Sequence, residues 1–595
     1  MDLQWSLNEL YTSFDSEEFK NDMEKCSNDI KSIREWAANK LVNNDKPSVK
    51  IEEYITMMNK FYNLYLRLTG YAELTVSTDA KNKKALEIID RLEEKITELT
   101  QPQVSFQKWL CSVENLDEII YSSKLLTDHS FYLSELVNKC RYLLSEKEEV
   151  LLSKMKNTGS NAWSKLQELI TSTLLVDIDI KGERKKLPLS LVRNMAHEKE
   201  PEVRKQAYDA ELEAYKKIED SSAACLNGIK GEVITISKTR GYASPLEKTL
   251  IDSRMDSKTL DAMLSAIKEY LPVFHKYYKK KAELLGHKNG LPFYDLFAPV
   301  GNSDMRFTYD EAKSFIVKNF RTFSEKLANF AQNAFDKRWI DVEPREGKRG
   351  GAFCSNLHSI KESRILVNFS GSFRDVTTLA HELGHGYHGD CLKDETYLNS
   401  NYPMPIAETA SIFCETIIVN AAIKEGSNEE VFSILENDIS DAGQVIVDIY
   451  SRFLFESELF KRREYASLSV EDLKDIMLKA QKDAYGDGLD PNFLHPNMWT
   501  CKPHYYYADY NFYNFPYAFG LLFAKGLYAE YLKKGEGFVK DYDKLLSVTG
   551  KNNIADVAMI AGINVRSIDY WRSALKLVEE DIEKFISLGT TNFEK

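Results

Sequence analysis

A mostly α-helical fold is predicted for this 595-residue chain by three observations. Apolar residues in its N-terminal third recur at three- and four-residue spacings, the period that gathers them on one face of a helix. Alternating β-branched residues, which read as strand, are found in short stretches around residues 173–188 and 364–369. The stretch richest in chemistry, His381-Glu382-Leu383-Gly384-His385, works only on a helix, where positions four apart stand one above the other.

Taken in order, Ser16-Glu17-Glu18-Phe19 opens a helix. Residues 49–68 carry Ile51, Tyr54, Met58, Phe61 and Tyr65, and residues 84–99 carry Leu86, Ile89, Leu92 and Ile96, both as amphipathic stripes. Their periods are irregular, so neither a coiled coil nor an internal repeat is expected. Residues 173–188 alternate and turn at Lys181-Gly182, which predicts a small hairpin. A soft boundary near residue 195 divides the chain into an N-terminal helical lobe, 1–195, and a second part, 196–595. Helices resume from Glu202, and Tyr309-Asp310-Glu311-Ala312 starts one running toward Phe335. Pro344 to Cys354 is a glycine- and charge-rich loop in which Gly350 and Gly351 would let the backbone approach a ligand. The strand 364–369 that follows could offer its edge to an extended peptide, or be an ordinary strand and turn. Residues 437–462 read as one long helix.

His381 and His385 can turn their imidazoles to one point, which suits a tetrahedral Zn²⁺, and Glu382 stands where it can reach a water on that metal. Ser370-Gly371-Ser372 is a turn, with Asp375 the expected N-cap. Glu408 follows His385 by 23 residues, after Pro403 and Pro405, and opens an apolar helix expected from about Ala407. Glu415 is seven residues further, on the same face. Two acids on one face of an apolar helix are costly unless positive charge lies opposite. Glu408 is read as third ligand and Glu415 as acceptor from a ligand imidazole N–H. Two surface glutamates are the alternative, for which Ile406, Ile412, Phe413, Ile417 and Ile418 leave little room. His388 could rival His385, but a packing role is favoured; His358 and His495 are read as structural.

Six tyrosines lie between positions 505 and 517, far above the chain's average. Phenols are neutral donors near pH 7 and can stabilise an oxyanion. Tyr510, Tyr513 and Tyr517 would share a helical face, unless Pro516 marks a helix start. His504 opens this segment and is a candidate donor to substrate or oxyanion; an aromatic core is the alternative.

Hydrophobic and charged contents of 43% and 28% are those of a soluble globular protein, and a net charge of −13 argues against nucleic acid or an anionic membrane as main partner. The eight cysteines form no C-x-x-C, and their even count is no evidence of a disulfide framework; Cys354, Cys391, Cys414 and Cys501 are read as small buried or half-buried thiols rather than metal ligands. No basic and apolar leader is visible, and no apolar run approaching ~18 residues, so neither a signal peptide nor a membrane span is expected, and a cytoplasmic address is the simplest.

Several of these segments together resemble the oligoendopeptidase F family of thimet oligopeptidase-like zinc metallopeptidases. The matching pieces are His381-Glu382-Leu383-Gly384-His385-x-x-His388, Glu408-x-Ala410-Ser411-x-x-x-Glu415, and His504…Tyr510…Tyr517-Ala518-x-Gly520. Gly347-Lys348-Arg349-x-Gly351-Ala352-Phe353 and Asn368-Phe369 add to them. The resemblance covers residues 200–590 well and the N-terminal third by helical character. It implies a mostly α, two-lobed helical body enclosing a deep substrate channel, with a small β-sheet beside the zinc helix and residues 196–595 as catalytic domain. It implies cleavage of internal bonds in short peptides, with one Zn²⁺ held by His381, His385 and Glu408 and with Glu382 as base. His504, Tyr510 and Tyr517 would face the scissile carbonyl, and Gly350, Gly351 and Tyr513 the substrate; which tyrosine makes the key contact stays open. A helical zinc carboxypeptidase and a peptide-binding protein with a vestigial metal site are the rival readings.

Overall fold

The structure, a computed structural model, describes residues 3–301 and 305–593. Helices dominate it, and the strands form one two-stranded and one three-stranded sheet among the described residues. The chain divides into two compact units, each assembled from three segments. The first comprises Met1–Arg141, Met305–Ala421 and Glu530–Ile563; the second comprises Tyr142–Asp304, Ala422–Ala529 and Asn564–Lys595.

In the first unit, Ser16 caps the helix Glu17–Lys40 by accepting from the Phe19 N–H. That helix and Pro47–Thr78 bury Phe19, Ile30, Tyr54, Phe61 and Leu68 in one core. Tyr54 stacks on Phe106 with centroids 3.5 Å apart. Cys111 and Cys140 are bonded to each other, their Cα atoms 6.4 Å apart, a pairing that the cysteine spacing did not suggest. The segment expected as one helix toward Phe335 is two, Tyr309–Phe323 and Glu325–Asp336, broken where Ser324 caps the second.

The three-stranded sheet runs Ile340–Asp341, Glu362–Leu366, Phe353–Leu357 in spatial order, parallel then antiparallel. The strand expected to offer an edge is therefore central, and Phe353–Leu357 and the two-residue Ile340–Asp341 are the edges. From the central strand, the buried guanidinium of Arg364 ties the sheet to the N-terminal segment, donating to Ser6 O at 2.6 Å and to Glu9 at 2.9 Å, and also to Glu362 at 3.0 Å.

The helix Phe373–Leu392 carries the H-E-x-x-H motif. Its N-cap is Ser372, three residues before the expected Asp375. Asp375 instead occupies the third helical position and returns a bond to the Ser372 N–H, completing a capping box. Gly384 fits this helix against the next: a Cβ there would lie 2.4 Å from Ala410 O and 2.6 Å from Ser411 Cα, both backbone. An alanine in a free helix would gain ~1 kcal/mol over glycine. Here overpacking reverses the sign, and Gly384→Ala is expected to destabilise by about 3 kcal/mol. Urea denaturation checks it, and an unchanged or higher midpoint refutes so close an approach.

Beyond a turn, Met404–Ala407 and Thr409–Glu425 form the apolar helical segment, with Glu408 between them as the C-cap of the first. Met404–Glu425 is long and apolar enough to cross a membrane by length and composition alone, but 61% of its most apolar window is buried inside the protein, as in a core helix. That apolarity is used in packing: Phe413 lies 4.8 Å from Phe323 and stacks on Tyr542 at 4.5 Å.

In the second unit, the predicted hairpin pairs Leu175–Ile180 with Glu183–Pro188 through Lys181-Gly182. Both turn residues have positive φ, 52° and 84°, as a two-residue turn matched to strand twist requires. Val176 and Ile178 point into a small core with Leu189, Val192 and Tyr215. Residues 437–462 belong to helices Asn428–Gly443 and Ile449–Arg463, joined by a π-turn over Gln444–Asp448. Ser257–Leu284 packs along Ile568–Phe593, with Tyr277 and Phe585 in edge contact at 5.5 Å.

Candidate active site

One helical turn separates His381 from His385, and both Nε2 atoms face one oxygen of Glu408, at 3.1 and 3.4 Å. One ligand atom from each of the three residues lies within 4.8 Å of the others. On the far side of the ring, His381 Nδ1 is 3.2 Å from a Glu415 carboxylate oxygen. Both ring nitrogens are thus directed at carboxylate oxygens, so positive charge is favoured here, carried by the ring itself or by a cation shared with Glu408. Two imidazoles, a carboxylate and an outer carboxylate that orients one ring form a donor set that fits a zinc ion.

The electrostatics agree. Burial pushes Glu408 toward its neutral form, but hydrogen bonds with His381 and His385 outweigh it and hold the carboxyl well below the usual range. Burial works against the His381 cation, yet Glu408 and Glu415 together push its pKa up to about 10. Glu382 is 6% exposed, and burial raises its pKa.

Further residues surround this arrangement. Ser411 Oγ donates to Glu408 at 2.8 Å, and Asn356 Nδ2 donates to His385 O at 3.1 Å. The Cys354 thiol, which has a raised pKa from burial, is close enough to Glu382 for that carboxylate to add to the shift. His388 is fully buried, hydrogen-bonded to Thr549 and stacked on Tyr402 at 4.2 Å, outside the cluster of three. His358 is occupied by Asn63 and the Glu395 carbonyl, at 2.9 and 2.8 Å. Gly351 has φ +78° and Gly350 does not. Asn368 donates to Arg349 O and Gly351 O, fixing this loop, and Lys348 is anchored on Asp341 at 2.8 Å.

In the second unit, His504, Tyr513 and Tyr517 form an aromatic cluster. The imidazole lies 5.2 Å from the Tyr513 ring and 6.3 Å from that of Tyr517, and the two phenol rings are 5.9 Å apart. Tyr510 touches Tyr513 at 5.7 Å but is 64% exposed. The shared helical face expected for the three tyrosines is not formed. The helix begins at Phe515 with Pro516 in its first turn, so Tyr510 and Tyr513 precede it on a turn where Phe512 has φ 53°. Burial lowers the His504 pKa, which keeps the imidazole neutral, and its Nδ1 has no hydrogen-bond partner among the described residues.

A buried network secures that turn. Lys230 Nζ donates to Glu456 and to Asn511, both at 2.9 Å, and Asn514 Nδ2 reaches the other Glu456 oxygen at 3.2 Å. The Lys230 and Glu456 side chains are 0% and 1% exposed. Lys230→Met would leave a buried carboxylate without its counter-charge and is expected to destabilise by about 3–5 kcal/mol. Adding Glu456→Leu should recover most of that loss. Equal midpoints for single and double variants in chemical denaturation would contradict the pairing.

Comparison with known proteins gives this geometry a lineage. The model of Peptidase family M3 matches residues 194–577, and that of Oligopeptidase F matches residues 111–175. Oligopeptidase PepF of Bacillus subtilis (strain 168) is 27% identical over 546 residues, 90% of this chain and 80% of that protein. The chromosomal oligoendopeptidase F of Lactococcus lactis subsp. cremoris is 30% identical over 418 residues, 69% of this chain and 68% of the relative. Among solved structures, oligoendopeptidase-F from Enterococcus faecium superposes with a TM-score of 0.70 at 18% identity, covering 96% of this chain and 98% of the other. PZ peptidase A with an inhibitor gives 0.68 at 16%, covering 94% and 97%. These structural likenesses establish the helical fold, and the family match spans well over half of the sequence, so the chain belongs to Peptidase family M3 and is a metallopeptidase acting on peptides.

Proposed function

We propose that the protein is a zinc-dependent endopeptidase that hydrolyses internal bonds of short unfolded peptides, holding one Zn²⁺ per chain through His381, His385 and Glu408. The observation that carries this reading is the convergence of those three side chains, with one ligand atom of each within 4.8 Å of the others. The chemistry supplied by zinc, when bound, is Lewis acidity, which polarises a carbonyl and brings the pKa of a water toward ~7. Glu382 takes the proton of the attacking water and hands it to the leaving amine, a role its burial and raised pKa favour. Glu415 keeps the His381 ring oriented through Nδ1. Phenol and imidazole donors from the segment containing His504, Tyr510 and Tyr517 stabilise the oxyanion, and one such donor is typically worth ~3 kcal/mol. Tyr513 is proposed to contact substrate, and its packing against both His504 and Tyr517 supports a common task. The Gly350-Gly351 loop beside the edge strand Phe353–Leu357 is proposed to take the extended peptide backbone.

The proposed division into an N-terminal lobe, 1–195, and a catalytic part, 196–595, draws on a family match that begins at residue 194, whereas each of the two compact units takes segments from both parts. A cytoplasmic address is part of the proposal, and the Cys111–Cys140 bond is the observation that weighs against it. A fluorescence-quenched peptide of about eight residues, blocked at both ends, tests the function. Internal cleavage that a chelator abolishes and zinc restores is expected. An intact blocked peptide with trimming of its free form would indicate a carboxypeptidase, and no hydrolysis of either form would indicate a vestigial site.

A further inference from the structure

The second unit contains a cavity of about 70 Å³ that none of the proposed zinc ligands lines. Pockets for whole small molecules span roughly 300–1,000 Å³, so this one has room for an end group or a few waters. Phe293 and Phe297 form apolar wall, and Gln444 and Asp448 reach it from the two ends of the π-turn. Such turns are rare and are often found at functional sites.

The charges around the cavity do not balance. Glu211 is answered by Arg193 at 3.1 Å and by the Tyr215 hydroxyl at 2.7 Å. Asp448 is answered by Arg452, and Arg204 by Asp295 at 2.6 Å and the carbonyls of Glu198 and Lys199. Lys502 remains. Its ammonium has neither ion pair nor hydrogen bond among the described residues; it lies in the field of two further cations, Arg452 and Arg193, and of Asp448, an anion already paired with Arg452. Burial, reinforced by Arg452, lowers its pKa, a cost that an anion in the cavity would relieve. His495 is 1% exposed on the same wall, with Nδ1 lacking a hydrogen-bond partner and Nε2 3.4 Å from Glu211. One surplus positive charge and uncommitted polar groups in a space of end-group size fit a single carboxylate.

We propose that Lys502, with Gln444 and His495, binds a carboxylate in this cavity, and that its source is the carboxyl terminus of a short peptide. Lys502 stands two residues before His504 and near enough to influence that imidazole, so the cavity adjoins the segment proposed to face substrate. The source of the carboxylate rests on the peptidase reading; the charge imbalance does not.

Binding is measured by calorimetry on the zinc-loaded protein with N-acetylalanine and N-acetylalaninamide, alongside inorganic phosphate. The acid is expected to bind at least tenfold tighter than the amide, with the preference lost in Lys502→Met and kept in Lys502→Arg. In parallel, kcat/KM is compared for one quenched peptide ending in a free acid or an amide. The acid is expected to lead by about tenfold, through KM, and the ratio to fall to near one in Lys502→Met. Equal binding of acid and amide by the wild type would overturn the site whether or not the variants fold, and tighter binding of phosphate would overturn the ligand class. Acid binding without any advantage for the free-acid peptide would overturn the peptide source and leave a small free acid as ligand. Acid binding by a protein that cleaves no peptide would support the site while the proposed function falls.

Discussion

Replacing Glu382 by glutamine is expected to lower kcat by about 10³-fold or more while the protein keeps its full complement of zinc. General bases contribute typically 10²–10⁴-fold, and 10³-fold corresponds to about 4 kcal/mol of barrier. Glutamine has the same shape and keeps a hydrogen-bonding oxygen but cannot accept the proton. Glu382 lies outside the cluster His381, His385, Glu408, so metal content measured by mass spectrometry should not change. Stability should hold or rise, because burial, helped by Glu408 and Glu415, outweighs the attraction of His381 and His385 for the charge that the substitution removes. Turnover within tenfold of wild type would assign the base elsewhere.

Glu408→Ala is expected to produce the largest loss of metal. The two Nε2 atoms that face its carboxylate would be left with no third ligand, and zinc affinity should fall by more than the 10- to 100-fold typical of losing an orienting partner such as Glu415. Glu415→Gln provides that internal comparison. A thermal readout separates binding from turnover. A metal present at 1,000 times its dissociation constant stabilises by ~4 kcal/mol, so a chelator should lower Tm in the wild type and leave Glu408→Ala unmoved. A variant that binds zinc as tightly as the wild type would remove Glu408 from the ligand set.

How far the sequence could be read depended on how local each interaction is. The two histidines of one turn, the Ser16 cap and the Lys181-Gly182 turn are matters of neighbours within four residues, and the structure has them where the spacing put them. The expected Asp375 cap missed by three residues because serine and aspartate both suit an N-cap, and reciprocal bonding between them decided which took it. The expected helical face of Tyr510, Tyr513 and Tyr517 assumed that the helix period reached back past Pro516. Asn511 and Asn514, tied to Lys230 and Glu456, hold a turn there instead.

By itself the sequence determined the helical class, the helix bearing His381 and His385, and the hairpin, because periodicity and turn chemistry act over a few residues. Tertiary structure alone decided that Phe353–Leu357 is an edge of the sheet, that Gly384 lies against the Ala410 carbonyl, that Cys111 meets Cys140, and that Lys502 forms no ion pair among the described residues. Each of these depends on which distant segments the core brings together. Burial makes such pairings strong, because an unanswered charge or a misplaced methyl group costs little in water and several kcal/mol inside the protein.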